Sequence, residues 1–183
     1  MERELVERAR TGDLEAFGEL ARAWIDRLYV LARLILRDGD RARDATQEAL
    51  IVAWRDLSGL RDPDKFGPWI RRLLVTACYR EARRTKRRLH VEAQVRPLGS
   101  DLIDYESAAA DREELSHGFS GLTTEQRTLI VLHYYVGLPV HETALIMGLP
   151  VGTVKSRLSR TTQQMRATLD ARARLPLRTS GAT

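Results

Sequence analysis

Apolar residues recur at steps of three and four along most of this chain, and no stretch alternates convincingly at steps of two. Phe17, Leu20, Trp24, Leu28, Leu31 and Ile35 form the first stripe, and Asp13 stands where it can cap the helix they predict. The Asp38-Gly39-Asp40 cluster breaks that helix. A second helix is predicted from about Asp40 to Leu57, with Ala42, Ala45, Ala49, Val52 and Ala53 on its buried side. Gly59 and Pro63 mark a loop. A third long helix starts near Phe66, where Pro68 is tolerated because it lies in the first turn. Its stripe is Ile70, Leu73, Leu74, Ala77 and Cys78.

From about His90 to Ser107 the periodicity fails, and Pro97, Gly99 and Ser100 predict a linker. Order returns near Ala108. Thr123 and Gln126 form a capping box for a helix over Thr124 to Tyr135. Gly137 ends that helix and Gly148 the next. A last helix runs from Val151 to about Ala171, with Val151, Val154, Leu158, Met165 and Leu169 facing inward. The pattern predicts an all-α fold of two small helical domains joined by a flexible acidic linker. The boundaries read as 1–90, a linker over 91–110, 111–175, and a disordered tail over 176–183. A second domain that small buries a modest share of its surface, so it is expected to gain order from partners.

Charge refines this picture. The 183 residues carry a net charge of +5, unevenly placed. Eight basic residues between Arg71 and Arg88 face one acid, Glu81. Between Glu92 and Glu114 seven acids stand against Arg96 and Arg112. Six basic residues then follow between Val151 and Arg174 against Asp170. Two basic lobes around an acidic middle predict two anionic contact surfaces. The single cysteine, Cys78, excludes an intramolecular disulfide and fits a reducing, cytoplasmic setting. The four histidines show no ligand spacing, so no metal or cofactor is expected. MERELVERAR is charged throughout, unlike a signal peptide, and the longest apolar run, Leu129 to Val140, is too short and interrupted for membrane insertion.

The segment His141 to Arg160, HETALIMGLPVGTVKSRLSR, carries the most specific signal. It reads as two short helices around a tight turn at Gly148, with Pro150 at the start of the second. Lys155 with Ser159, and Ser156 with Arg160, are four apart and so share a face. Arginine and lysine donate to guanine O6 and N7, and serine serves a base edge or a phosphate. That is the chemistry of a helix placed in the DNA major groove.

Extended to LTTEQRTLIVLHYYVGLPVHETALIMGLPVGTVKSRLSR, this segment resembles region four of bacterial sigma factors of the extracytoplasmic-function (ECF) group, within the sigma-70 family. DLEAFGELARAWIDRLYVLARLILRD resembles the start of their region two, and DRARDATQEALIVAWRDL the segment that docks on core RNA polymerase. KFGPWIRRLLVTACYREARRTKRR resembles their promoter-melting, −10-reading helix. The resemblance covers roughly residues 10–170 in the family's order.

It implies definite roles. Asp44, Gln47 and Glu48 match a D-x-x-Q-E pattern that contacts the clamp helices of the polymerase's largest subunit, and Asp40 shares the helical face of Asp44 and Glu48. Arg72, Thr76, Arg80, Arg83, Arg84 and Arg87 fall in the −10 and melting helix, after a loop, Leu57 to Lys65, matching the family's site for a flipped base. Trp54, Phe66 and Trp69 read as core rather than stacking platforms. Lys155, Ser156, Ser159 and Arg160 are the expected −35 readers, with Thr153 and Arg157 closer to phosphates. The acidic linker resembles the family's connector towards the RNA exit path, and an anti-sigma factor is implied as a further partner. The chain departs from the pattern at Thr76 and Arg80, where the family often has asparagine and aspartate, so strand binding carries over but a −10 preference does not. Thr161 and Thr162 replace a common alanine and arginine.

Two other readings stay open on the residues alone. A self-sufficient helix-turn-helix regulator needs a dimer to present two recognition helices, and no dimerising helix or effector pocket stands out. An enzyme needs an oriented constellation, and Glu125, His133 and His141 do not form one. No catalytic residue is expected.

Overall fold

Helix α2, Leu14–Leu36, is the axis around which the first half of the protein is built. A computed structural model of the chain describes residues 1–95, 118–119 and 121–173, with side chains to 87 and 171. Among these residues there is no strand. Asp13 caps α2 by accepting from the Ala16 N–H at 3.0 Å. At the other end Arg37 turns left-handed, at φ 58°, and its N–H closes on the Arg33 carbonyl at 2.8 Å. Asp38 then caps α3, Gly39–Asp56, by accepting from the Arg41 N–H.

The apolar stripe of α2 packs on three sides. A short α1, Glu2–Arg10, contributes Val6 and Ala9. The row Ala42, Ala45, Ala49 and Ala53 leaves little side chain on α3, so its backbone lies close to its neighbours α2 and α4. The long helix α4, Phe66–Val95, brings Phe66, Ile70, Leu74, Ala77 and Cys78. Two 3-10 turns, Leu57–Gly59 and Pro63–Lys65, join α3 to α4 and are pinned by buried Leu57, Leu60 and Pro63. Helix α1 was not legible as an apolar stripe, because its Glu and Arg residues leave only two buried positions.

The second half holds α5, Thr124–Ile130, α6, Val140–Met147, and α7, Val151–Ala173. The capping box at Thr123 and Gln126 is formed in both directions. The predicted helix to Tyr135 is not regular throughout: over Val131–Tyr135 it widens into a π-helical turn. His133 Nδ1 donates to the Leu138 carbonyl at 2.8 Å and braces the turn that follows. Leu129, Ala144 and Val154 form the local core. Val151, expected inward, stands 42% exposed because it opens α7 beyond that core.

The second half packs on the first. Phe119, Leu122, Ile130 and Val131 belong to the same apolar cluster as Trp24 and Leu28, and Val75 of α4 packs with Leu132 and Ile146. Helix α4 continues to Val95, into the segment read as linker. The remainder of the linker and the 176–183 tail lie outside the described residues.

Candidate nucleic-acid interface

Three polar surfaces follow from this packing. On α7, Val154 is fully buried against Leu129 and Ala144, which fixes the helix's rotation. Lys155, Ser156, Ser159 and Arg160 consequently face outward, while Thr153 and Arg157 are half-buried at the edge. The turn before α7 depends on Gly148, left-handed at φ +66°. Apart from its chain neighbours and its own helix backbone, no described atom lies within 4 Å of where a Cβ on Gly152 would sit, so the helix start is open to close approach. Ser156 Oγ donates to the Thr153 carbonyl at 3.0 Å, and Arg160 Nε to the Ser156 carbonyl at 3.3 Å. Arg157 is held otherwise: its Nη1 lies 3.1 Å from Glu125 Oε2. Thr161 is buried and Thr162 donates back to Leu158, so neither extends the basic face.

On α4, burial of Ile70, Leu74, Ala77 and Cys78 turns Arg72, Thr76, Arg80, Arg83, Arg84 and Arg87 to the exterior. Thr76 Oγ1 donates to the Arg72 carbonyl at 2.9 Å. Arg84 pairs with Glu81 at 2.6 Å, and Arg80 with Glu48 of α3 at 2.6 Å. Arg72, Arg83 and Arg87 form no ion pair with another described residue. Burial pushes the Cys78 thiol up to about 12, so it stays protonated at neutral pH. Burial likewise raises Tyr79 to about 12.

On α3, Asp40, Asp44 and Gln47 are exposed and Glu48 is half-buried. Asp40 pairs with Arg43 at 2.8 Å. The side chains of Asp44 and Gln47 make no hydrogen bond or ion pair with any other described residue. Together with Ile51, Glu81 and Arg84, the residues Asp44, Gln47 and Glu48 line a cleft of about 310 Å³. Trp54 is 38% exposed and tilts against Phe17, with ring centroids 5.0 Å apart, so the expectation of a core tryptophan holds only for one side of its ring. Phe66 is buried, edge-on to Trp24, and Trp69 packs beside it.

Comparison with known proteins identifies the family. Residues 20–88 match the family model for sigma-70 region 2, and residues 112–165 that for sigma-70 region 4. The ECF RNA polymerase sigma factor SigM of Mycobacterium tuberculosis is 34% identical over 152 residues, spanning 81% of this chain and 74% of that protein. The chain belongs to the ECF RNA polymerase sigma factors. SigW of Bacillus subtilis is 29% identical over 178 residues, covering 90% of this chain and 94% of its own. The solved structure of CnrH, in complex with the cytosolic domain of CnrY, has a TM-score of 0.68 at 27% identity, covering 93% of this chain and 97% of that one.

As an ECF sigma factor the chain works with core RNA polymerase to direct promoter-specific transcription initiation, which sets aside the stand-alone regulator. Sigma factors are initiation factors rather than enzymes. No helix among the described residues is long and apolar enough to cross a membrane, and no group of three or more His, Cys, Asp or Glu among them could hold a metal. Sequence reasoning missed the cation that ties the two halves together, Arg127. Its signal was a basic residue sharing a helical face with Ile130 and Val131.

Proposed function

We propose that this sigma factor distributes its work over the three surfaces described above. Residues 1–90 dock on polymerase and open the −10 element, residues 91–110 connect, and residues 111–175 read the −35 duplex. The docking face is Asp40, Asp44, Gln47 and Glu48, directed at the clamp helices of the largest polymerase subunit. The free carboxylate and amide of Asp44 and Gln47 support this, because both await partners outside the chain. The non-template strand follows Arg72, Thr76, Arg80, Arg83, Arg84 and Arg87, whose outward stripe on α4 is the observation that carries the reading. A cationic stripe along a helix suits phosphates of a separating strand. Lys155, Ser156, Ser159 and Arg160 read base edges, and Thr153 and Arg157 lie nearer the backbone.

The chain performs no chemistry of its own and acts in the cytoplasm, where polymerase and promoter meet. An anti-sigma factor is its regulatory partner. Support comes from CnrH, solved with the cytosolic domain of CnrY, and from the Bartonella quintana sigma factor RpoE, solved with the anti-sigma factor NepR.

In vitro transcription tests the whole reading. Core polymerase freed of sigma, with and without this chain, is given fragmented genomic DNA and the 5′ ends are mapped. Discrete starts that need the chain, with shared upstream elements, are expected. Absence of starts, with tight footprints from the chain alone, would overturn it.

A further inference from the structure

The docking face and the strand-binding face are not separate surfaces. Helices α3 and α4 pack side by side, and their polar rims meet in one cleft. At its edge, formed by Glu48, Arg80 Nη1 lies 2.6 Å from Glu48 Oε1, linking positions 32 apart in sequence. Glu48 ends the acidic docking pattern, and Arg80 sits midway along the basic stripe. Their side chains are 26% and 53% exposed, so each remains within reach of an outside partner. Arg72, Arg83 and Arg87, on the same stripe, have no acid among the described residues to hold them.

We propose that Glu48 is a positioning residue for Arg80: it holds the guanidinium against α3 in the free chain and yields it to the non-template strand when polymerase takes the carboxylate. Docking thereby adds a cation to the −10 surface, and a sigma factor away from polymerase binds single strands more weakly than its charge predicts. The inference rests on the assignment of α3 to polymerase and α4 to the strand. Its physical basis is competition for one cation. A solvent-exposed pair contributes little, so a basic polymerase side chain displaces it readily, and a phosphate gains the released guanidinium. The effect to be read is correspondingly modest, about two- to five-fold.

The test is a double-mutant cycle on the full chain. Wild type, Glu48→Gln, Arg80→Ala and the double variant are titrated onto a fluorescent single-stranded oligonucleotide carrying the non-template −10 sequence of a mapped promoter. Binding is read by anisotropy at low salt, with and without core polymerase. In the free chain Glu48→Gln is expected to tighten binding about two- to five-fold, and to change nothing in the Arg80→Ala background. In the holoenzyme, made at saturating polymerase, the gain from Glu48→Gln disappears. Equal tightening in both backgrounds would reduce the effect to loss of a negative charge and overturn the proposal, as would no tightening or no binding by Glu48→Gln. Arg80→Ala distinguishes the underlying assignment. If it leaves holoenzyme strand binding unchanged, Arg80 is no strand contact and both readings fall. If it weakens holoenzyme binding while the free-chain cycle is additive, only the coupling falls.

Discussion

Arg127 of α5 donates from Nε to the carbonyl of Ile35, in the last turn of α2, at 2.6 Å across 92 residues of sequence. Its other nitrogens reach the Leu122 carbonyl and Thr124 Oγ1, so one guanidinium satisfies acceptors on both sides of the junction between the halves. The Ile35 carbonyl is one of those a helix leaves without an internal partner at its C-terminus. Burial, with Arg37 and Arg41 nearby, lowers the Arg127 pKa to about 10, which still leaves it charged at neutral pH.

Replacing Arg127 with Ala is therefore expected to destabilise the chain by about 1–3 kcal/mol, since it strands buried acceptors as well as removing a charged donor. Helices α5 to α7 should also separate from α2. Urea unfolding followed by circular dichroism, with small-angle scattering of the native state, reads both. An unchanged midpoint and an unchanged radius would show that the apolar contacts of Ile130 and Val131 hold the halves together without it.

At the start of α2 the Asp13 carboxyl is held below its usual range, first by the Ala16 N–H and then by Arg8, whose Nη2 lies 2.7 Å away. A depressed carboxyl pKa in the folded state contributes stability above its unfolded value, and that contribution is lost as pH falls through the folded value. The expected outcome is that Asp13 remains ionised at pH 3.8, the ordinary aspartate midpoint, and titrates below it in a carbon-detected NMR titration. Asp13→Asn keeps an acceptor for the helix cap but loses the titration, so its unfolding midpoint should be flatter with pH between 3 and 5, about the range of ordinary carboxylates. Titration at or above the ordinary midpoint would remove the cap's electrostatic share.

Much of this was legible because each signal was local. Asp13, Thr123 with Gln126, and Gly148 act within one turn of chain, and each sits where the spacing sets it. The outward faces of α4 and α7 followed from apolar spacing, since burying Leu74 and Val154 decides where Arg80 and Lys155 point. Relations between distant segments were not legible. Nothing in the spacing brings Arg80 to Glu48 or Arg127 to Ile35, because such pairs depend on how helices cross. The π-helical turn at Val131–Tyr135 was hidden for a similar reason: it adjusts one helix to two cores at once, with Val131 facing Trp24's cluster and Leu132 facing Val75.

The docking assignment predicts a loss of polymerase affinity without a loss of fold. Asp44 and Gln47 are exposed, so replacing both with Ala removes no side-chain hydrogen bond or ion pair to another described residue. The expected result is an unchanged melting temperature and a core-polymerase Kd at least about ten-fold weaker, or about 1.4 kcal/mol. Binding of labelled core to wild-type and variant chains measures it. Equal affinities would move the docking surface away from α3.

On α7 the distinction to be drawn is between reading a base and gripping a phosphate. Arg160 is exposed and held only by a long 3.3 Å contact to its own helix, so it can reorient towards a groove. Arg157 is already tied to Glu125 and lies nearer the helix edge. Arg160→Ala should therefore cost about 1–3 kcal/mol on a duplex carrying the −35 element and much less on a scrambled one. Arg157→Ala should weaken both duplexes alike and lower the salt dependence of holoenzyme binding by about 0.9 log units per log salt, the share of one duplex phosphate. Fluorescence titrations of holoenzyme on the two duplexes, repeated over a range of potassium chloride, separate these effects. A uniform loss for Arg160→Ala would make it a backbone contact and shift base recognition to Lys155, Ser156 and Ser159.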